Sequence, residues 1–329
     1  MRFSVLGAGG WGTAVARLLA NAGHETLLWA RDPHQADAIR RDRENAKYLP
    51  GVRLPAERLE ITTELADGLD ADAVFLAVPS FGLDAILRQI ASLAPSPTLV
   101  NLAKGLDRAT QRTASELIGA RLPDASAFTL SGPSHAEEVG RDVPTAVVLA
   151  GTDLALGERL QRTIATPRFR VYLSGDVRGV ELCAAVKNVI ALATGISDGL
   201  GYGDNSRGAL ITRGLAEMAR FGRTLGVRDA TFFGLAGLGD LVATCTSEHS
   251  RNRYVGVRLG SGEPLDRILA EMTMVAEGVF ATEIVRDMAA ERGIEMPITA
   301  AVARLLAGDV DPLTLVEEIM TRAPKREDG

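Results

Sequence analysis

Through residue 174 the chain alternates short, continuous apolar runs with longer stretches of helical period. The runs cover Arg2–Leu6, Glu25–Trp29, 73–78, 98–102, 127–130, 145–150 and Phe169–Ser174. Strands that are apolar throughout, rather than at alternate positions, belong to a parallel sheet covered on both faces. Residues 13–22 carry a helical period between the first two runs, and 39–47 read as a more polar helix. Past Asp176 the strand pattern stops. Residues 180–193 are apolar on every face, which predicts a helix buried inside the protein. A break rich in Gly, Asp and Asn follows over 195–209, and a helical period returns over 210–225. The pattern therefore predicts an α/β protein in two parts, a doubly covered parallel sheet over about 1–178 and a helical region over 179–329.

The first strand runs directly into Gly7-Ala8-Gly9-Gly10-Trp11-Gly12, and a helix follows. Strand, Gly-x-Gly-x-x-Gly, then helix is the dinucleotide fingerprint in the context it requires. Gly7 permits the tight turn, Gly9 lets backbone approach a pyrophosphate, and Gly12 allows close packing of helix on strand. The helix N-terminus then faces the phosphate charge. At the end of the second strand stand Arg31 and Asp32. An acid near that position favours NAD and an arginine favours NADP, so both cofactors stay open. The loop Tyr48-Leu49-Pro50-Gly51 follows in order, within reach of the adenosine end. Ligands of such sheets lie beyond the carboxyl ends of the strands, where Pro79, Lys104 and the turn Ser131-Gly132-Pro133-Ser134-His135-Ala136 also fall. Lys104 is thereby placed to meet a phosphate or carbonyl.

Lys187 and Asn188 interrupt the buried helix of the second part. At helical spacing Lys187 meets Cys183, Ala184, Ile190 and Ala191, none of them an acid. Desolvation lowers a lysine's pKa and suits it to proton transfer near neutral pH. Gly234-Leu235-Ala236-Gly237-Leu238-Gly239-Asp240-Leu241 brings backbone close to something and presents one carboxylate, so Asp240 is the acid expected to find Lys187. The competing role for Asp240 is a helix cap. Thr244 to Ser247, then Ser250-Arg251-Asn252-Arg253, offer hydroxyls and cations near a helix start, which suits a phosphate.

Composition narrows the classes. The 329 residues are 46% hydrophobic and 24% charged, ordinary for a globular protein with ample core. A net charge of -6 argues against a general nucleic-acid surface. Lys187 and Asn188 interrupt the best candidate for a membrane span, and the N-terminus runs at once into glycines rather than a signal segment, so a cytoplasmic protein is expected. Cys183, in the buried helix, and Cys245, read as a loop residue, make no disulfide framework. Four scattered histidines give no metal-ligand spacing, and no metal is expected.

The chain resembles the NAD(P)-dependent glycerol-3-phosphate dehydrogenases of the bacterial type over nearly its whole length. The resemblance is carried by Gly-Ala-Gly-Gly-Trp-Gly-Thr-Ala at 7–14, Asn-Leu-Ala-Lys-Gly-Leu at 101–106, Ser-Gly-Pro-Ser-His-Ala-Glu-Glu-Val at 131–139 and Ala-Val-Lys-Asn-Val at 185–189. It continues through Asn-Ser-Arg-Gly-Ala at 205–209, Gly-Leu-Gly-Asp-Leu at 237–241, Ser-Arg-Asn at 250–252 and Val-Ala-Glu-Gly-Val at 275–279. Two positions depart from the family: Gly10 stands where Ser is common, and Arg31 where His is common.

The resemblance implies a Rossmann-type N-terminal domain with a mostly parallel sheet and an all-α C-terminal domain. It also implies reversible reduction of dihydroxyacetone phosphate to sn-glycerol 3-phosphate, a small phosphorylated three-carbon pair, for glycerophospholipid synthesis. Lys187 matches the catalytic lysine, with Asp240, Lys104 and Asn188 around it. Gly132, Ser134, Ser250, Arg251 and Asn252 match substrate positions, alongside Lys104, Lys187 and Asp240. Gly7, Gly9, Gly10, Trp11, Gly12, Arg31, Tyr48, Lys104, Ala136, Arg251, Val275 and Glu277 fall at or near positions for NAD or NADP. A homodimer is the expected assembly. A dehydrogenase for another hydroxy acid would not need Arg251 and Asn252 for phosphate, and a nucleotide sensor would keep its function in Lys187→Ala.

Overall fold

The computed structural model describes residues 1–93 and 96–321. Its strands are β1 (Arg2–Leu6), β2 (Glu25–Trp29), β3 (Glu44–Asn45), β4 (Leu49–Arg53), β5 (Leu59–Thr62), β6 (Ala73–Leu76), β7 (Thr98–Asn101), β8 (Ser126–Ser131), β9 (Thr145–Gly151) and β10 (Phe169–Ser174). Helices α1 (Gly10–Asn21), α2 (Pro33–Asp42), α3 (Leu83–Leu93), α4 (Ala114–Arg121), α5 (Ala136–Gly140) and α6 (Leu154–Ile164) connect them. Eight strands form one sheet in the order β10-β9-β8-β7-β6-β1-β2-β5. Every neighbouring pair in it is parallel except β8 and β9. From β1 the chain builds outward through β2 to β5, then crosses back to β6 and builds the other way. Ligands bind at the carboxyl ends of the strands flanking such a reversal. There the loop after β1 packs on the loop after β6: a Cβ on Gly7, whose φ is +122°, would lie 2.7 Å from the Ala77 carbonyl oxygen.

Among the described residues beyond β10 the chain is helical: α7 (Val177–Gly199), α8 (Asp204–Thr224), α9 (Asp229–Phe233), α10 (Asp240–Thr246), α11 (Arg251–Gly260), α12 (Leu265–Glu271), α13 (Glu277–Glu291), α14 (Pro297–Ala307) and α15 (Pro312–Met320). Helix α7 is the axis of this half, buried from Val180 to Ser197. Val186, Val189, Ile190 and Leu192 pack there among Met218, Phe221, Leu241, Val255, Ile284 and Val302 from five surrounding helices. Among the described residues α7 is also the one helix long and apolar enough to cross a membrane, with mean hydropathy 1.5 over its best window. The polar interruption at Lys187 and Asn188 does not remove that property. The whole window is buried inside the protein, which accounts for its composition.

Several expectations need correction. The helix expected over 39–47 runs over Pro33–Asp42 instead, because Asp32 caps it by accepting from the His34 amide and Pro33 supplies a preset φ at its start. Arg43, at φ 50°, then turns the chain into the β3–β4 hairpin, so residues 49–51, read as a loop, are strand. Strand β5 was not anticipated, since Leu59-Glu60-Ile61-Thr62 lies at the sheet edge and alternates rather than running apolar. The break over 195–209 is mostly helix: α7 continues to Gly199 and α8 starts at Asp204, with Gly201 (φ +82°) making the turn. Cys245 is buried in α10 rather than in a loop. Asp240 is the first residue of α10, where it faces the lysines described below.

Candidate active site

Asp240 follows a single turn of π-helix, Leu235–Gly239, which packs on α9 so closely that a Cβ on Gly237 would fall 2.2 Å from the Phe232 carbonyl oxygen. That approach delivers the Asp240 carboxylate into the interior at 2% exposure. Lys187 on α7, 3% exposed, donates from Nζ to Asp240 Oδ1 at 2.5 Å and to Thr244 Oγ1 at 2.7 Å. Lys104, beyond the end of β7, donates to Asp240 Oδ2 at 2.9 Å and to the Gly132 carbonyl oxygen at 2.8 Å, with Ser134 Oγ at 3.3 Å. One carboxylate thus bridges two ammonium groups, one from each half of the chain. Asn188 donates to the Lys104 carbonyl oxygen at 2.8 Å and receives Asn252 Nδ2 on its Oδ1 at 2.9 Å. Asn252 Oδ1 in turn accepts the Gly278 amide at 2.9 Å, which locks α11 and α13 onto α7.

Burial pushes the Lys187 amine down to about 7, assisted by the charge of Lys104 and opposed by Asp240. Burial alone would raise Asp240, but Lys104 and Lys187 outweigh it and hold the carboxyl below its ordinary value. The arrangement is an amine poised to change charge near neutrality beside a carboxylate that stays ionised. Such an amine can polarise a carbonyl oxygen and exchange a proton with it.

The Gly-rich loop shows the features of a cradle. A Cβ on Gly12 would sit 2.0 Å from the Gly7 carbonyl oxygen, and one on Gly10 2.7 Å from that of Tyr48. In front of Gly9 nothing lies within 4 Å of a Cβ position. Helix α1 starts there with no side-chain cap, leaving its first amides for a ligand. Trp11 Nε1 is buried without a hydrogen-bond partner. Ala136 begins α5, 3.6 Å from a Cβ on Gly10, and closes that flank with Tyr48. These features fit the pyrophosphate of a dinucleotide.

Ser250 caps α11, its hydroxyl accepting the Arg253 amide, and the Arg251 side chain beside it is exposed. Glu277 opens α13 and accepts from the Ser80 amide at 2.9 Å and from its hydroxyl. Val275 lies one residue before the cap of α13, partly buried. Arg31 stands exposed just past β2, apart from the lysine cluster.

The sequence pattern described as NAD-dependent glycerol-3-phosphate dehydrogenase N-terminus matches residues 2–156, and the corresponding C-terminus pattern matches 176–317. The chain belongs to the NAD-dependent glycerol-3-phosphate dehydrogenase family. It is 49% identical over 333 residues to a glycerol-3-phosphate dehydrogenase [NAD(P)+] of Geobacter metallireducens, spanning 100% of this chain and 99% of that one. It is 47% identical over 332 residues to the enzyme of that name from Chlorobium limicola, with 99% of each covered. The crystal structure of glycerol-3-phosphate dehydrogenase from Coxiella burnetii superposes with a TM-score of 0.94 at 39% identity, covering 98% of this chain and 99% of that one.

Three supports of this dehydrogenase site were not anticipated. Asn45, buried in the hairpin, donates to the Ala8 carbonyl oxygen at 2.9 Å and to Thr13 Oγ1 at 2.8 Å, fixing the Gly-rich loop from behind. Gln35 donates to the same carbonyl. Nothing local in sequence marks either residue. Thr244, whose sequence context suits a phosphate donor, instead accepts from Lys187, and its place four residues after Asp240 on one helix face is the signal for that.

Proposed function

We propose that this chain catalyses the reversible reduction of dihydroxyacetone phosphate to sn-glycerol 3-phosphate with NADH or NADPH, with Lys187 as general acid and base. The observation that carries the reading is Lys187 itself, a buried amine held by Asp240 and Thr244 with its pKa brought to about 7. Bound NAD(P)H supplies the hydride. As the carbonyl becomes an alcohol, charge grows on its oxygen, where the Lys187 ammonium stabilises it and then delivers a proton. In the oxidative direction the neutral amine takes that proton back. Asp240 keeps both lysines aimed, Asn188 ties Lys104 to α7, and Lys104 with Gly132 and Ser134 holds the substrate's hydroxylated end. Ser250, Arg251 and Asn252 at the start of α11 take the phosphate, so binding energy from the unreactive end orients the carbonyl.

Gly7, Gly9, Gly10, Trp11 and Gly12 hold the pyrophosphate, flanked by Tyr48 and Ala136, with Arg31 toward the adenosine ribose. Val275, Glu277, Arg251 and Lys104 complete the cofactor set. Residues 1–178 form the dinucleotide-binding domain and 179–329 the helical substrate-binding and catalytic domain, and each lends residues to the other's ligand at the cleft between them. The enzyme acts as a cytoplasmic homodimer that feeds glycerophospholipid synthesis.

The test follows absorbance of the reduced nicotinamide with dihydroxyacetone phosphate, NADH and NADPH in parallel, and unphosphorylated dihydroxyacetone as the control. Rapid oxidation with the phosphate ester and slow oxidation with the control is the expected result. Equal rates with both ketones, or cofactor binding with no oxidation, would overturn the reading.

A further inference from the structure

Helices α7 and α11 meet along four glycines. A Cβ on Gly195 would lie 2.2 Å from the Arg253 carbonyl oxygen, and one on Gly199 2.2 Å from that of Val257. Reciprocally, a Cβ on Gly256 would lie 2.3 Å from the Leu192 carbonyl oxygen, and one on Gly260 2.3 Å from that of Ile196. All four obstacles are backbone, so no side-chain rotation relieves them. Helices with ordinary side chains at their contact pack about 8–10 Å apart, and glycines spaced by four on both partners let them come closer. The ridge does not end at the glycines. Asn252 lies one turn before Gly256, and its side chain meets Asn188 at 2.9 Å, next to Lys187. A Cβ on Gly278 would lie 2.7 Å from the Asn188 carbonyl oxygen and 2.8 Å from Asn252 Oδ1, so α13 presses on the same rung.

We propose that Gly195, Gly199, Gly256 and Gly260 are positioning residues that fix the span between Lys187 and the start of α11, and thereby select substrates with two carbons, the carbonyl carbon and one methylene, between carbonyl oxygen and phosphate group. This rests on the reading above, in which Ser250, Arg251 and Asn252 hold the phosphate. A methyl group on the ridge must push α11 off α7. Asn252 is then drawn from Asn188, and the phosphate site from the proton donor. The glycines touch neither cofactor nor substrate. Their effect is on geometry alone.

The experiment compares wild type with Gly256→Ala and with Gly260→Ala, one turn farther from the site, using dihydroxyacetone phosphate and a ketose phosphate with one more carbon between its carbonyl and its phosphate. In Gly256→Ala the KM for dihydroxyacetone phosphate is expected to rise about tenfold, with kcat and the KM for NADH within about threefold of wild type. The preference in kcat/KM is expected to move toward the longer substrate. Gly260→Ala is expected to act in the same direction by about threefold, and answers the question if Gly256→Ala does not fold. A purely structural role predicts a lower Tm and lower kcat with both KM values and the preference unchanged, and that result would overturn the proposal. Wild type that fails to reduce dihydroxyacetone phosphate would instead overturn the functional reading beneath it.

Discussion

The Gly-rich loop and the lysine cluster both lie beyond the carboxyl ends of the sheet strands, yet they are built on opposite terms. The loop is made by leaving side chains out: at Gly7, Gly10 and Gly12 a single added carbon would strike backbone, and the space in front of Gly9 is open. It carries no charged side chain and offers amides. The cluster is made by forcing charge in, with Lys187 and Asp240 nearly inaccessible and Lys104 closing the trio. A cradle for a large anion needs only backbone, so six consecutive residues can encode it. A group that hands over a proton near pH 7 needs desolvation and a fixed partner, which no short stretch supplies. The cluster accordingly draws on residues 104, 132–134, 187–188, 240–244 and 252, with Lys187 and Asp240 separated by 53 positions.

That contrast breaks most sharply at Lys187. Lys187→Met is expected to lower kcat by about 10²–10⁴-fold, the range general acid–base catalysis supplies, while NADH binding measured by fluorescence stays at the wild-type level. The converse variant is Gly12→Val. Its side chain has to displace the Gly7 carbonyl, and overpacking of roughly 1–3 kcal/mol weakens NADH binding by about tenfold to a hundredfold. The Lys187 cluster does not contact Gly12, so saturating NADH should restore most of kcat. Asn45→Ala sharpens the comparison with a smaller effect. The Ala8 carbonyl oxygen keeps Gln35 as a donor, so the KM for NADH is expected to rise about threefold with kcat unchanged. Equal losses of kcat in Asn45→Ala would show the two regions to be coupled.

The same contrast governs what the sequence made legible. Strands β2 and β10 are bounded where their apolar runs are, and the Gly-rich loop follows β1 as its motif requires, because these signals are local. Lys187 stood out because a lysine inside an all-apolar helix demands a partner, and Asp240 was the acid with the right surroundings. Less legible was anything set by another element. Gly195 and Gly199 suggested a break in the chain, whereas they lie within α7 where α11 presses against it. Asn45 looked like one polar residue among many until the hairpin folded it behind the Gly-rich loop. Strand β5 was hidden because an edge strand need not be apolar on both faces. Even the double role of Asp240 escaped notice, since its second lysine arrives from the other half of the chain.

The central claim is that Lys187 gives its proton to the substrate oxygen, and its most direct test is the pH dependence of kcat/KM for reduction, which reports the free enzyme. The ammonium form is the active one in this direction. The rate should therefore be level below about pH 7 and fall about tenfold per unit above it, with the oxidative reaction showing the opposite limb. Asp240 raises the Lys187 pKa, so Asp240→Asn should carry the limb to lower pH. A profile that stays level through about pH 6 to 8 in the wild type, or one whose limb is unmoved in Asp240→Asn and retained in the residual activity of Lys187→Met, would contradict the assignment.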